Sequence, residues 1–412
     1  MKILIITCVF PPEPLVSANL SYDLALSLHE LHEVTVLSPR PTRPMGYDFS
    51  RVLKPQHPFR HIILPSYTHP QSALVGRFRE SYSFGRACMK YIHKYHHKID
   101  IIYLNTWPLF GQYFVIKAAR RWNIPTVLHI QDIYPEALIQ KLPVPVKSLV
   151  SSMLFPVERF ITAHSSKIIT ISPGMRNLLI ATRKLPLTKI EVIYNWQDET
   201  KFLTEDEQAT NIPDKALTHF MFLGSLGPVA SIDNLILAFA RLKEKDVKLT
   251  IAGEGSEKAK LKRLAEDLKE SRVHFIEAPA SDAGKIQARA DVLLLSLKKG
   301  SAGLALPSKL PAYMFSARPI IASVDADSDT ANVIREAGCG WVAEPDNPFA
   351  LAQLMQDITM MSKDKLVQMG LKGRAYSLQH FSKQANLSKL VSVVSSIQKL
   401  NNDKGYCNLY KW

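Results

Sequence analysis

The stretch Gly300-Ser301-Ala302-Gly303-Leu304-Ala305-Leu306-Pro307-Ser308-Lys309-Leu310 decides how the chain is read. An apolar run from Ala290 to Leu297 precedes it, with the composition of a buried parallel strand. After it, the sequence predicts a short helix, with Ser308 at the N-cap and Pro311 tolerated in the first turn. Arg318 to Ser323 then predicts a second strand. A small-residue loop between a strand end and a helix start points backbone N–H groups outward, and the helix dipole favours negative charge there. Lys309 adds a full positive charge. The stretch therefore reads either as a pocket for nucleotide phosphates or as an ordinary strand-to-helix turn with a solvated lysine.

Around this stretch lies a chain of 412 residues, enough for two domains of about 200 residues each. A hydrophobic content of 46% with 21% charged residues fits a soluble globular protein. No apolar run approaches the ~18 residues of a membrane span. Met1-Lys2-Ile3-Leu4-Ile5-Ile6 has no small-residue cleavage site after it and reads as a first strand, not a signal peptide. Cys8, Cys88, Cys339 and Cys407 are scattered with no pair at metal spacing, which points to a reducing compartment and no zinc.

Charge divides the chain. Residues 1–190 hold 23 Lys and Arg against 10 Asp and Glu, and residues 191–412 hold 28 against 27. The basic half suits an anionic membrane, a polyphosphate substrate or nucleic acid. No recognised nucleic-acid motif accompanies the charge, so no nucleic-acid partner is expected.

In chain order, Lys2 to Phe10 reads as a strand, broken by Pro11-Pro12-Glu13-Pro14. Leu20, Leu24, Leu28 and Leu31 mark one face of a helix from Ala18 to Leu31, and Glu33 to Leu37 is the next strand. This βαβ unit implies parallel pairing and an α/β fold. The G-x-G-x-x-G fingerprint is absent after the first strand, which argues against an NAD-binding domain. A long loop over residues 39–70 surrounds a short strand, Ile62 to Leu64.

Gln71 to Lys98 reads as a helix or helix pair, carrying Arg77, Arg79, Arg86, Lys90, Lys94 and Lys98 against the single acid Glu80, with aromatic residues interleaved. That is the composition of a membrane-surface segment, the alternative being an amphipathic helix with a solvated basic face. Asp100 to Leu104, Thr126 to Ile130, Lys167 to Ile171 and Glu191 to Tyr194 read as further strands. Gly111 to Trp122 reads as a helix, and Ser172-Pro173-Gly174 opens another. Asp132 and Glu136 fall at the carboxyl end of a strand, where catalytic groups belong, although Glu136 also suits a helix start after Pro135. Residues 195–214 read as a linker.

The second half repeats the pattern. Strands at Phe220 to Leu223, Lys248 to Ala252, Val273 to Ile276 and Asp291 to Leu295 are expected, with a helix from Ser231 or Asp233 to Arg241. Glycine turns follow two of the strands, at Gly224 and at Gly253-Glu254-Gly255. Together with the Ser308-Lys309 turn they form the pattern of a nucleotide-binding half. Ser382 to Leu400 reads as a final helix.

The ordered set of motifs resembles the family-4 retaining glycosyltransferases with the two-domain GT-B fold, in the branch that builds bacterial capsule, O-antigen and colanic-acid repeat units. The set comprises Phe10-Pro11-Pro12-Glu13, Gln131-Asp132-Ile133-Tyr134-Pro135-Glu136, Ile171-Ser172-Pro173-Gly174-Met175, Ile193-Tyr194-Asn195-Trp196, Phe222-Leu223-Gly224-Ser225-Leu226-Gly227, Ala252-Gly253-Glu254-Gly255, and Pro307-Ser308-Lys309 through Pro319. The resemblance implies an acceptor-binding domain over 1–197, with 386–412 packing back onto it, and a nucleotide-sugar domain over 210–385. It implies donor contacts at Gly224, Ser225, Gly253, Glu254, Ile276, Ser308 and Lys309, and catalytic roles for Asp132, Glu136 and Lys309. It further implies a UDP-sugar in preference to a GDP-sugar, a polyprenyl-diphosphate-linked saccharide acceptor, no metal, no cofactor, and a cytoplasmic protein at the inner membrane face.

Departures from the family pattern accompany the likeness. Two glutamates common in the family are replaced by Leu304 and Ala312, the second of which usually grips the ribose. Ser225 and Ser231 stand where Arg and Lys are common. Lys298, Lys299, Lys309 and Arg318 are the candidate substitutes. A catalytically weak or inactive homologue and a GT-B sugar-nucleotide epimerase are the alternatives.

Overall fold

The structure is a computed structural model, and it describes residues 1–43, 47, 49, 57–69, 74–105, 109–139, 142–202, 217–301 and 306–397. The described residues divide into two compact units. Unit 1 takes 1–171, 175–193 and the residues from 387 on, and unit 2 takes 172–174 and 194–386.

Unit 1 is built on a seven-stranded parallel sheet in the order β3-β2-β1-β4-β5-β6-β7. The strands are β1 Lys2–Thr7, β2 Glu33–Ser38, β3 Arg60–Ile63, β4 Ile101–Asn105, β5 Thr126–Ile130, β6 Lys167–Thr170 and β7 Ile190–Val192. Every residue of β4 and β5 is buried, because a parallel sheet is covered on both faces by its crossover helices. Those helices are α1 Val16–His29, α2 Leu74–Tyr95, α3 Phe110–Arg121, the short α4 Glu136–Ile139, α5 Val144–His164 and α6 Pro173–Arg183. The first strand ends at Thr7 rather than Phe10. The Thr7 hydroxyl donates to the Val9 carbonyl at 2.8 Å, and Pro11 and Pro12 have no N–H for a ladder. The basic segment forms one helix, not a pair, closed by a 3-10 turn at His96–Lys98.

Unit 2 holds a six-stranded parallel sheet in the order β10-β9-β8-β11-β12-β13. The strands are β8 Thr218–Leu223, β9 Val247–Ala252, β10 Val273–Ile276, β11 Val292–Ser296, β12 Ile320–Ser323 and β13 Gly340–Ala343. The helices are α7 Ile232–Phe239, α8 Lys258–Asp267, α9 Ala283–Gln287, α10 Lys309–Phe315, α11 Asp329–Ala337, α12 Pro348–Thr359 and α13 Lys363–His380, followed by α14 Lys383–Ser396. Strand β8 shows why the sheet has two cores: Phe220 and Phe222 enter one apolar cluster and Met221 the other, as the two-residue strand period requires.

One expectation about the connections changes. Part of the supposed linker is anchored, since Gln197 bridges to Ser382 and the Asp198 carboxylate accepts from the Thr200 amide at 3.3 Å. Residues 203–214 of that linker lie outside the described residues, as do Leu304, Cys407 and the end of the last helix beyond 397. Helix α14 passes from unit 2 into unit 1 at residue 387, and His32 of unit 1 hydrogen-bonds Ser395 at 3.1 Å. No helix of the described residues is long and apolar enough to cross a membrane.

Candidate functional site

In unit 2 the strand order reverses between β8 and β11, and in open parallel sheets ligands bind at the carboxyl ends of strands at such a switch point. The β8 and β11 connections carry the two stretches singled out by sequence. Gly224 follows β8 with φ +146°. Its amide donates to the Ala252 carbonyl at 2.9 Å, while the Gly253 amide donates to Ile276 at 3.1 Å. The two turns lie directly on one another. A Cβ on Gly253 would come within 2.1 Å of the Gly224 carbonyl oxygen, and a Cβ on Gly224 within 2.2 Å of Lys309 Cε. Glycine is therefore a steric requirement at both positions, and the Lys309 chain passes across the bare Gly224 backbone.

Lys309 Nζ sits 4.0 Å from the centre of the Phe222 ring. No carboxylate pairs with it among the described residues. Burial disfavours its charged form and holds its pKa down to about 8. An ammonium kept from water and without a counter-charge gains most from an arriving anion. Tyr313, buried in α10, fixes the geometry from below. Its hydroxyl accepts from the Leu223 amide at 2.9 Å and donates to the Leu223 carbonyl at 2.8 Å, so helix α10 is pinned to the end of β8. The sequence alone gives neither Phe222 nor Tyr313 a role of its own, because no local pattern distinguishes a buried ring beside a lysine or a hydroxyl reaching a strand end.

The other expected donor residues gather less closely. Ser225 is exposed beside Gly224. Ser308 occupies the N-cap position, but its side chain makes no cap bond, and its carbonyl accepts from the Gln197 side chain. Glu254 contributes its backbone carbonyl to the Leu226 amide at 2.8 Å, while its carboxylate turns outward to Lys258. Ile276 holds Gly253 through its carbonyl and packs against the cluster beneath.

Of the substitute cations, Arg318 is removed: it is 2% exposed and donates to the Ala288 carbonyl at 2.7 Å. Lys298 and Lys299 remain exposed at the β11 end. Ser231 has another task, since its hydroxyl donates to Asp346 at 2.7 Å and the same carboxylate accepts from the Lys299 amide at 3.1 Å. Ala312 is buried in α10.

In unit 1 the structure separates Asp132 from Glu136. Both oxygens of Glu136 accept from Arg183 of α6, at 2.6 and 2.8 Å, and Arg183 Nε donates to Glu158 of α5 at 2.9 Å. The same guanidinium donates to the Tyr134 carbonyl at 3.2 Å. Arg183 thus clamps the loop after β5. Its side chain is only 1% exposed, and burial pushes Glu158 up to about 7 despite the guanidinium beside it. Asp132 stays exposed at the mouth of a small pocket shared with Leu109, Gln112, Tyr134, Glu158 and Thr162. Gln131 accepts from the Ser17 hydroxyl at 2.8 Å. His129 is buried against the Tyr103 hydroxyl at 2.6 Å, with its pKa pressed to about 4 by burial.

Comparison with known proteins gives these geometries a context. Residues 17–201 match the model of Glycosyltransferase Family 4, and residues 218–360 match that of Glycosyl transferases group 1. WbjE of Pseudomonas aeruginosa, named a probable glycosyltransferase, is 27% identical over 273 residues, covering 65% of this chain and 67% of WbjE. WcaI of Escherichia coli, named for glycosyl transfer in colanic acid biosynthesis, is 23% identical over 279 residues, with the same two coverages. Among solved structures, HepE of Anabaena in complex with UDP has the same fold, at TM-score 0.70 and 16% identity, covering 96% of this chain and 100% of HepE.

Proposed function

The chain belongs to the GT-B glycosyltransferases of family 4 and group 1, and from that premise we propose that it moves a sugar, with retention of configuration, from a nucleotide-sugar donor to a lipid-linked saccharide in bacterial surface-polysaccharide biosynthesis. The observation that carries the reading is Lys309, a shielded ammonium with no carboxylate partner among the described residues, lying across Gly224 at the switch point of unit 2. A diphosphate there gains the cation, a close approach to the bare Gly224 backbone and a position at the start of α10. As the diphosphate leaves, Lys309 neutralises its growing charge. UDP is preferred to GDP as carrier, in keeping with the UDP bound by HepE. WcaI's named role supports the polysaccharide assignment.

Asp132 is the carboxylate that acts on the acceptor side, and Glu136 supports it through Arg183. The departing phosphate takes the acceptor proton, so no protein nucleophile is needed. The basic face of α2 holds the protein at an anionic leaflet and brings it to a lipid diphosphate. Arg77 is not part of that face, because it donates to the buried Glu80 at 3.0 Å, as Arg43 does at 2.5 Å. Arg79, Arg86, Lys90 and Lys94 are exposed along one side of the helix.

The test is a thermal-shift and calorimetry panel of UDP, GDP and their sugars on the parent and on Lys309→Ala. The expected result is binding of one nucleotide family, weakened by about 10- to 100-fold in the variant, as the loss of a charge-assisted contact requires. An unchanged dissociation constant would sink the assignment. Nucleotide binding without turnover on any lipid-linked saccharide would favour the inactive homologue, for which the buried Ala312 and the committed Ser231 are the structural arguments.

A further inference from the structure

Two carboxyl groups share one guanidinium in unit 1, and only one of them belongs to the loop that presents Asp132. Glu136, at the end of that loop, takes Arg183 with both oxygens, while Glu158, buried on α5, takes its Nε at 2.9 Å. The guanidinium itself has little freedom. It lies 5.1 Å over the Phe155 ring of α5, and its side chain is buried. Arg183 therefore stays with α5 and α6, and what can leave is the loop, with Glu136 and the Tyr134 carbonyl on it. Glu158 and Asp132 line the same small pocket.

The two carboxylates act against each other. Burial first, and repulsion from Glu136 after it, raise the Glu158 pKa to about 7, against the pull of Arg183 and of the exposed Arg159 on its own helix. Asp132 and Tyr134, at the pocket, are the other titratable groups that face it among the described residues. Helix α3 brings the uncharged Gln112 to the pocket, and β5 brings Leu128 and Ile130. The coupling is reciprocal: a loop in place makes Glu158 harder to ionise, so an ionised Glu158 makes the loop harder to keep in place. Departure of the loop removes Glu136, leaves Arg183 to Glu158 alone and lets water reach the carboxylate. All three changes favour the ionised form.

We propose that Glu158 is a positioning residue for Asp132: neutral, it leaves Arg183 to hold Glu136 and the Tyr134 carbonyl, and ionised, it competes with them for Arg183 and lets the loop open. The proposal rests on the reading of Asp132 as the acceptor-side carboxylate, and it adds the group that decides how firmly the Asp132 loop is held. Nucleotide binding, which belongs to Lys309 and the Gly224 turn, should not depend on Glu158.

The experiment compares the full chain with Glu158→Gln, whose amide oxygen can still accept from Arg183 Nε but whose charge is fixed at zero. Hydrogen exchange reads the loop without any substrate. The amides of Leu138 and Ile139, bonded to the Pro135 carbonyl at 3.0 and 2.9 Å, are freed when the loop opens. Their protection, corrected for the intrinsic rate, should fall about threefold or more between pH 6 and 8 in the parent, the size of one lost hydrogen bond. In Glu158→Gln it should stay at the parent's pH 6 level. A Glu158 that served the fold alone would change only the β5 amides, which exchange through unfolding of the whole unit. Level protection at Leu138 and Ile139 beside falling β5 amides would therefore overturn the proposal, and so would an equal fall in Glu158→Gln. On a lipid-linked saccharide that the parent glycosylates, the turnover of Glu158→Gln relative to the parent should rise through the same interval, with UDP affinity equal in the two proteins at each pH. A loop that loosens as expected while that ratio stays level would overturn the Asp132 assignment and leave the hold of Glu158 on the loop standing.

Discussion

The carboxyl ends of the two sheets are built in opposite ways. In unit 2 the candidate site is made of backbone: two glycine turns in mutual contact, with one lysine laid across the first of them. In unit 1 the loop that presents Asp132 is held by long side chains, with Arg183 reaching Glu136, Glu158 and the Tyr134 carbonyl at once. A backbone site has little to rearrange when an anion arrives, so it suits a ligand whose common feature is a diphosphate. A side-chain clamp holds one particular loop in one particular pose, and its strength depends on the protonation of its carboxylates. Unit 1 should accordingly be sensitive to charge changes and unit 2 to added volume.

The largest expected effect is at the clamp. Arg183→Met leaves two buried or half-buried carboxylates without their cation and should destabilise unit 1 by about 3–5 kcal/mol. Urea unfolding of the variant at pH 7 measures this, and a loss within error of zero would mean that the clamp is an ornament. Next in size is Gly253→Ala. Its new methyl meets the Gly224 carbonyl, and its backbone sits at φ +141°, which together should cost about 1–3 kcal/mol and abolish nucleotide binding before the fold is lost. Wild-type nucleotide affinity in a folded Gly253→Ala protein would remove the Gly224 turn from the site.

Smaller effects come from pH. Lys309 is held down to about 8, so it loses its proton between pH 7 and 9. Nucleoside-diphosphate affinity should fall over that interval towards the level of Lys309→Met, whose own affinity should stay flat. Parallel curves for the two proteins would deny the ammonium its role. Glu158 works in the other sense, because its pKa is raised to about 7. Between its unfolded value and about 7 the native state holds a proton that the unfolded chain has released, so stability falls as pH rises through that window. Glu158→Gln should flatten the fall, with its melting temperature gaining on the parent's between pH 5 and 8. A constant difference would show that the carboxyl titrates normally.

What could be read from the sequence follows the same division. Alternating apolar strands, glycines at strand ends and a lysine after a small-residue loop are local signals, so the order of elements in unit 2 and the meeting of Gly224, Gly253 and Lys309 were legible. Parallel pairing followed from the βαβ pattern. Helix α5 was passed over although Val150, Leu154, Val157 and Ile161 recur at helical spacing after Pro145, a proline suited to a first turn. The part that Glu158 plays on it could not have been seen at all, because burial is a property of neighbours.

The sequence by itself determined the residue chemistry available at each strand end and the positions where only glycine can stand, since backbone conformation and periodicity are set by near neighbours in the chain. Tertiary structure alone decided which charges are free to act. Arg77 and Arg183 are written as plainly as Arg79 and Lys309, yet the first two are held by carboxylates and, among the described residues, the last two are not. Arg183 meets partners 25 and 47 residues away, and no local pattern records such a meeting. The physical reason is that desolvation and ion pairing depend on distances between elements. Packing of the sheets and helices fixes those distances only after every local preference has been met.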